Sequence, residues 1–149
     1  MGNSFTSVYI HAVWSTKYRN HQITPSIKLE VESLLISVAK ELGVGTVSIF
    51  AMPNHVHMLL RIKSPVLISE VIGKAKGRTS KRINEKYGHI LQWQQGYGAF
   101  SISASHVARV KNYIENQVKH HETHNFEEEY LKWLVDYQVE YEDRYVFGD

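Results

Sequence analysis

The chain has 149 residues, 43% of them hydrophobic and 21% charged, proportions that support one packed core and exclude a disordered, collagenous or low-complexity polypeptide. It contains no cysteine, which excludes a disulfide framework, a thiolate metal site and a cysteine nucleophile, so any bound metal must be held by histidine, carboxylate, amide or backbone oxygen. The net charge of +2 conceals an asymmetry, because residues 1–119 sum to +9 and residues 120–149 to −7, a basic body with an acidic tail that suits a polyanionic partner.

In chain order, Phe5 to Tyr18 alternates around Val8, Ile10, Ala12 and Trp14, the period of two expected of a strand with one buried face. Thr24-Pro25-Ser26 supplies a turn, and Ile27, Val31, Leu34, Leu35, Val38 and Leu42 then recur at helical spacing until Gly43. Val44 to Ala51 and His57 to Ile62 predict a hairpin around Met52-Pro53-Asn54. A second helix is expected from about Leu67 to Tyr87, apolar at Ile68, Val71, Ile72, Ala75 and Ile83, basic on its other side and ended by Gly88. Ile90 to Trp93 and Ala99 to Ile102 predict short strands around a Gln94–Gly98 loop, Ser105 can cap a helix from His106 to about His121, and a last helix spans Phe126 to Val135. The succession β-α-β-β-α-β-(β)-α-α predicts an α+β, ferredoxin-like antiparallel sheet with helices packed on one face and an appended C-terminal helical segment from about residue 104, all in one domain over 1–149. No apolar run approaches the roughly 18 residues of a membrane span, and Met1 to Thr16 lacks the pattern of a secretory signal, so a soluble cytoplasmic protein with no membrane partner is expected.

Two pairs of residues carry possible chemistry. His55 and His57 are two apart, and on a strand both imidazoles point to one face while Val56 points to the other, which brings two nitrogen donors together. Such a pair also arises by chance among nine histidines. Tyr113 and Gln117 are four apart and share a helix face, although a tyrosine in an amphipathic helix is ordinarily a packing residue. Between Arg61 and Lys86 eight basic residues face only Glu70 and Glu85, which fits either a phosphate-tracking surface or a solvated helix.

Taken in order, these pieces resemble the HUH single-tyrosine transposases of the insertion-sequence-200/605 family, of which the REP-associated tyrosine transposases are relatives. HUH stands for histidine, a bulky hydrophobic residue and histidine. Here it is His55-Val56-His57, preceded by Met52-Pro53-Asn54, and Tyr113-x-x-x-Gln117 matches the nucleophile helix of that family. Val13 to Arg19, Trp93 to Gly98 and Tyr141 to Tyr145 are similar as well, so the likeness spans nearly the whole chain.

The resemblance implies that His55, His57 and Gln117 hold Mg2+ or Mn2+ and that Tyr113 attacks a DNA phosphate. A 5′-phosphotyrosine and a free 3′-hydroxyl would form, and the retained bond energy would allow strand transfer without ATP or any small-molecule cofactor. It further implies single-stranded DNA with subterminal hairpins as substrate, and a homodimer whose tyrosine helices complete composite active sites. Lys17, Arg19, Lys74, Arg78, Lys81 and Arg82 are the expected DNA contacts. Two alternatives stay open: a domesticated REP-associated enzyme acting on palindromic repeats, and a noncatalytic nucleic-acid-binding module.

Overall fold

The computed structural model describes residues 3–148. Four strands, β1 (Val8–Ser15), β2 (Val44–Met52), β3 (His55–Ile62) and β4 (Gly98–Ile102), form one antiparallel sheet in the order β2-β3-β1-β4. With α1 (Lys28–Glu41) between β1 and β2 and α2 (Ile68–Tyr87) between β3 and β4, this is the ferredoxin-like plan.

Strand alternation divides the molecule. Ala12 and Trp14 of β1 and Val56, Met58 and Leu60 of β3 enter the core beneath the two helices, where they meet Val31 and Leu35 of α1 and Val71, Ile72, Ala75 and Ile83 of α2. The helices form as their 3.6-residue patterns require. Gly43, at φ +81°, turns the chain out of α1 into β2, a conformation costly for any residue with a Cβ.

The other face of the sheet is covered by the C-terminal segment, comprising α3 (Val107–Glu115), α4 (Gln117–His120) and α5 (Phe126–Asp136). α3 lies against β2 and β3, while Phe126, Tyr130 and Leu134 of α5 pack with Val13 and Phe100. Gly98 makes that docking possible, since a Cβ there would come within 2.8 Å of the Tyr130 ring. Among the described residues no helix is long and apolar enough to cross a membrane.

Three local expectations need revision. β3 starts at His55, so both histidines lie in the strand. Ile90–Trp93 forms no strand, only a bridge from Trp93 to Thr16. Side chains take its ladder positions: Asn84 Oδ1 accepts from the Ile90 and Leu91 amides, and Gln22 Oε1 from that of Gln92. The helix expected over 106–121 starts at Val107 without a side-chain cap, because the Ser105 and Ser103 hydroxyls face His106 Nδ1 instead. It then breaks at Asn116 (φ −107°, ψ 28°), whose side-chain amide donates to Asn112 O at 2.7 Å, a local bond that competes with helical geometry.

Candidate active site

β3 turns His55 and His57 toward α3–α5, where both are buried. Their Nδ1 atoms are occupied. His55 Nδ1 lies 2.7 Å from Asn54 Oδ1, and His57 Nδ1 lies 2.9 Å from Nε2 of His11, a buried residue of β1. The Asn54 oxygen can only accept, so His55 carries its proton on Nδ1 and turns a bare Nε2 inward.

Gln117 meets them from α4, fully buried. Its Nε2 donates to Tyr113 O at 3.2 Å, which orients the amide and leaves Oε1 3.3 Å from His55 Nε2. Four residues on, His121 Nδ1 donates to His124 O at 2.7 Å, so its Nε2, 2.9 Å from the same Gln117 Oε1, is also bare while the ring is neutral. From α5, Glu129 brings Oε1 to 3.3 Å from His57 Nε2, and neither atom has a hydrogen-bond partner. Donor atoms of His55, His57, His121 and Glu129 all lie within 4.8 Å of one another. Around Gln117 Oε1, the lone pairs of His55 Nε2 and His121 Nε2 face an oxygen lone pair in a buried pocket and repel it unless a cation sits among them. The residues therefore fit a divalent ion, with an amide and a carboxylate oxygen suited to a hard cation and imidazoles suited to a transition metal.

Burial sets the protonation states. It pushes the His57 pKa down to about 3 and holds His55 and His11 well below the usual histidine value, while the Glu129 carboxyl is pushed up to about 8. The close approach of His57 to Glu129 is consequently not an ion pair near neutral pH, despite its distance. The donor set is a group of neutral ligands until a cation enters.

Tyr113, on α3, hangs at the edge of this pocket. Its ring meets His57 edge-on at 5.9 Å, its hydroxyl donates to Glu129 Oε2, and that oxygen lies 2.7 Å from His120 Nε2. Trp133 packs against His11, His57 and Tyr113. Within one chain, then, His55, His57, Gln117 and Tyr113 come together.

Four of the six expected DNA contacts lie away from this pocket. Lys74, Arg78, Lys81 and Arg82 lie on α2, on the opposite side of the sheet, where Lys74 pairs with Glu70 and Arg78 with Glu41. Arg78, Lys81 and Arg82 border a cleft of about 450 Å3 between α1 and α2. Lys76 leaves that basic face altogether, since its ammonium is buried and donates to Gln94 O and Gly96 O. Lys17 and Arg19 follow β1 at the sheet end where β3 begins, with the Arg19 guanidinium 4.4 Å from the Phe147 ring centre.

Sequence reasoning missed His11, His120, His121 and Glu129. His121 was findable, standing four residues after Gln117 on the same face. Glu129 sits in an acidic run, yet Phe126, Glu129, Tyr130, Trp133 and Leu134 mark one side of a helix, which places this glutamate on the packed side.

The family described as "Transposase IS200 like" matches residues 4–117, and the chain belongs to it. The ISDra2 transposase TnpA of Deinococcus radiodurans is 25% identical over 114 residues, covering 72% of this chain and 81% of the relative. The transposase for insertion sequence element IS200 of Salmonella typhimurium is 25% identical over 116 residues, covering 73% and 76%. A crystal structure of a candidate transposase from Deinococcus radiodurans superimposes with a TM-score of 0.63 at 25% identity, over 78% of this chain and 96% of that one. A REP-associated tyrosine transposase bound to a REP hairpin shares the fold, with a TM-score of 0.59 at 16% identity over 80% and 74%. This is a transposase of the IS200 family. His120, His121 and Glu129 lie beyond the matched segment.

Proposed function

We propose that this transposase cleaves and rejoins single-stranded DNA at insertion-element ends, with Tyr113 as nucleophile and His55, His57 and Gln117 as ligands of Mg2+ or Mn2+. Residues 1–149 would act as one unit, with the helical segment from about residue 104 delivering the tyrosine. The observation that carries the reading is the convergence of inward-facing Nε2 and Oε1 atoms beside a tyrosine hydroxyl. His121 and Glu129 enlarge the donor set, and the added imidazole favours Mn2+ over Mg2+ in affinity.

A bound divalent ion supplies positive charge that polarises the scissile phosphate and favours the ionised forms of nearby acids. Tyr113 Oη forms the new bond to phosphorus, and the bond to the 3′ oxygen breaks. The phenol is a poor nucleophile with its proton in place, and Glu129 Oε2 is positioned to accept it. The 3′ oxygen leaves as a hydroxyl after taking up a proton. Rejoining is the reverse, with another 3′-hydroxyl attacking the phosphotyrosine and Tyr113 recovering its proton. Trp133 and Phe126 wall the histidines from bulk water, which strengthens electrostatics at the site.

The hairpin-bound relative supports a substrate that carries hairpins alongside single strands, and the basic face of α2 with Lys17 and Arg19 is the proposed phosphate contact. We read the working form as a homodimer with composite sites, in which α3 is exchanged between protomers at the Asn116 break. Mixing Tyr113→Phe protein with His57→Ala protein tests this: composite sites restore activity in the mixture, and sites built within one chain do not. For the reaction itself, synthetic single strands tiled across the DNA flanking the gene are incubated with protein and Mn2+. One strand should be cut to a free 3′-hydroxyl, and cutting without Tyr113 or without metal would falsify the proposal.

A further inference from the structure

The two histidines of the pair are alike in geometry but not in how their tautomers are fixed. Asn54 Oδ1 can only accept, so it settles His55. The neighbour of His57 is His11 Nε2, at 2.9 Å, and an imidazole nitrogen can either donate or accept. His57 therefore has two possible states. If His11 donates, the His57 proton sits on Nε2 and points toward Glu129 Oε1, 3.3 Å away. If His11 accepts, the His57 proton sits on Nδ1 and its Nε2 lone pair faces the donor cluster.

We propose that His11 is a positioning residue for the metal site: by accepting the Nδ1 proton of His57 it holds that ring in the tautomer whose Nε2 can bind the ion. The inference rests on the metal-dependent reading above and concerns only how one ligand is prepared. A ligating histidine needs its second nitrogen tied, and such partners set both tautomer and ring orientation. Here the orientation is held firmly. His11 lies diagonal to His57 across the β1–β3 ladder, where His11 pairs with Leu59 and Val13 with His57. Their rings lie end to end, with centroids 5.1 Å apart and 26° between planes, as a hydrogen bond close to the ring planes requires, and Trp133 meets His11 edge-on at 5.1 Å.

Passing from the first state to the second requires no net proton change at this pair. The His57 proton moves from Nε2 to Nδ1, and the His11 proton moves from Nε2 to Nδ1. His11 borders a cavity of about 190 Å3 lined by Phe100, Arg109, Tyr113 and Trp133, where water can take the hydrogen bond of its second nitrogen. The two states thus use the same four nitrogens with the protons relocated.

The test is calorimetric titration of Mn2+ into metal-free wild type, His11→Phe and His11→Gln, with melting curves confirming that each variant is folded. His11→Phe keeps an aromatic ring beside Trp133 and removes the acceptor, so its affinity should fall ~10- to 100-fold. His11→Gln restores an acceptor oxygen and should recover most of that loss. Unchanged affinity in His11→Phe, or an equal loss in His11→Gln, overturns the inference while wild-type binding leaves the functional reading intact. Absence of Mn2+ binding by the wild type would overturn both. Nitrogen-15 spectra of the Mg2+-loaded wild type give a check that needs no variant: the inference expects His57 protonated at Nδ1, and an Nδ1 without a proton contradicts it.

Discussion

The two faces of one sheet differ in what they bury. Under α1 and α2, β1 and β3 contribute Ala12, Trp14, Val56, Met58 and Leu60. One residue away along the same strands, His11, His55 and His57 enter the face under α3–α5. The first face is a conventional apolar core, whose burial stabilises at about 25 cal/mol per Å2. The second buries lone pairs without partners, an arrangement that costs stability in the metal-free chain. Because strand alternation separates them, the apolar core can be weakened without altering the donor cluster, and a one-residue slip of β3 would exchange the two faces.

The largest expected effect breaks the apolar side. Leu60→Ala should destabilise the chain by ~2–5 kcal/mol in urea denaturation, through lost burial and the cavity left behind. Its folded fraction should nevertheless bind Mn2+ as the wild type does, as calorimetry would show.

Lys76 is the exception on that side, a buried ammonium whose pKa burial lowers to about 8. The unfolded chain keeps this proton up to about pH 10.4, so between pH 8 and 10 it binds more protons than the folded chain and stability rises with pH. Relative to Lys76→Met, the wild type should gain up to ~3 kcal/mol across that window, measured by paired urea titrations at pH 7.5 and 10. A flat difference would mean that the carbonyls of Gln94 and Gly96 compensate the charge fully.

On the polar side the sign should reverse. Gln117→Leu removes the oxygen that faces two bare imidazole nitrogens, so the metal-free protein should melt higher, by ~1 kcal/mol of stability. Saturating Mn2+ should stabilise the wild type by ~3 kcal/mol at a hundredfold excess over the dissociation constant, and this variant much less. A lower metal-free melting temperature in Gln117→Leu would contradict the idea that this face is strained without its ion.

The smallest effect concerns the outer surface. Arg78→Gln breaks an exposed pair with Glu41 and should alter stability by less than ~1 kcal/mol. If α2 tracks phosphates, the same change lowers the salt dependence of single-strand binding by about one unit of slope.

Much of this arrangement was legible in the sequence, and the reason is local periodicity. A period of two placed His55 and His57 on one face, with Val56 behind them, and a spacing of four joined Tyr113 to Gln117. The first relation holds along β3, whereas the second survives only across the Asn116 break, where Gln117 Nε2 donates to Tyr113 O from the start of the next helix. What escaped depends on contacts between distant segments. His11 reaches His57 through the register of β1 against β3, and Glu129 arrives through the docking of α5 over Gly98. Ile90–Trp93 has strand-like composition, yet Asn84 and Gln22 take the amides of Ile90, Leu91 and Gln92, which leaves only the bridge from Trp93 to Thr16. Lys76 reads as one more surface cation because its carbonyl partners lie about twenty residues away.

The central claim is that the tyrosine beside the histidine cluster forms the covalent link to DNA. The most direct measurement is mass spectrometry of proteolysed protein after incubation with Mn2+ and the tiled single strands. The account predicts a 5′-linked nucleotide on the peptide bearing Tyr113, absent from the Tyr113→Phe protein and from metal-free reactions. A nucleotide on any other residue, or an adduct that persists in Tyr113→Phe, would contradict it.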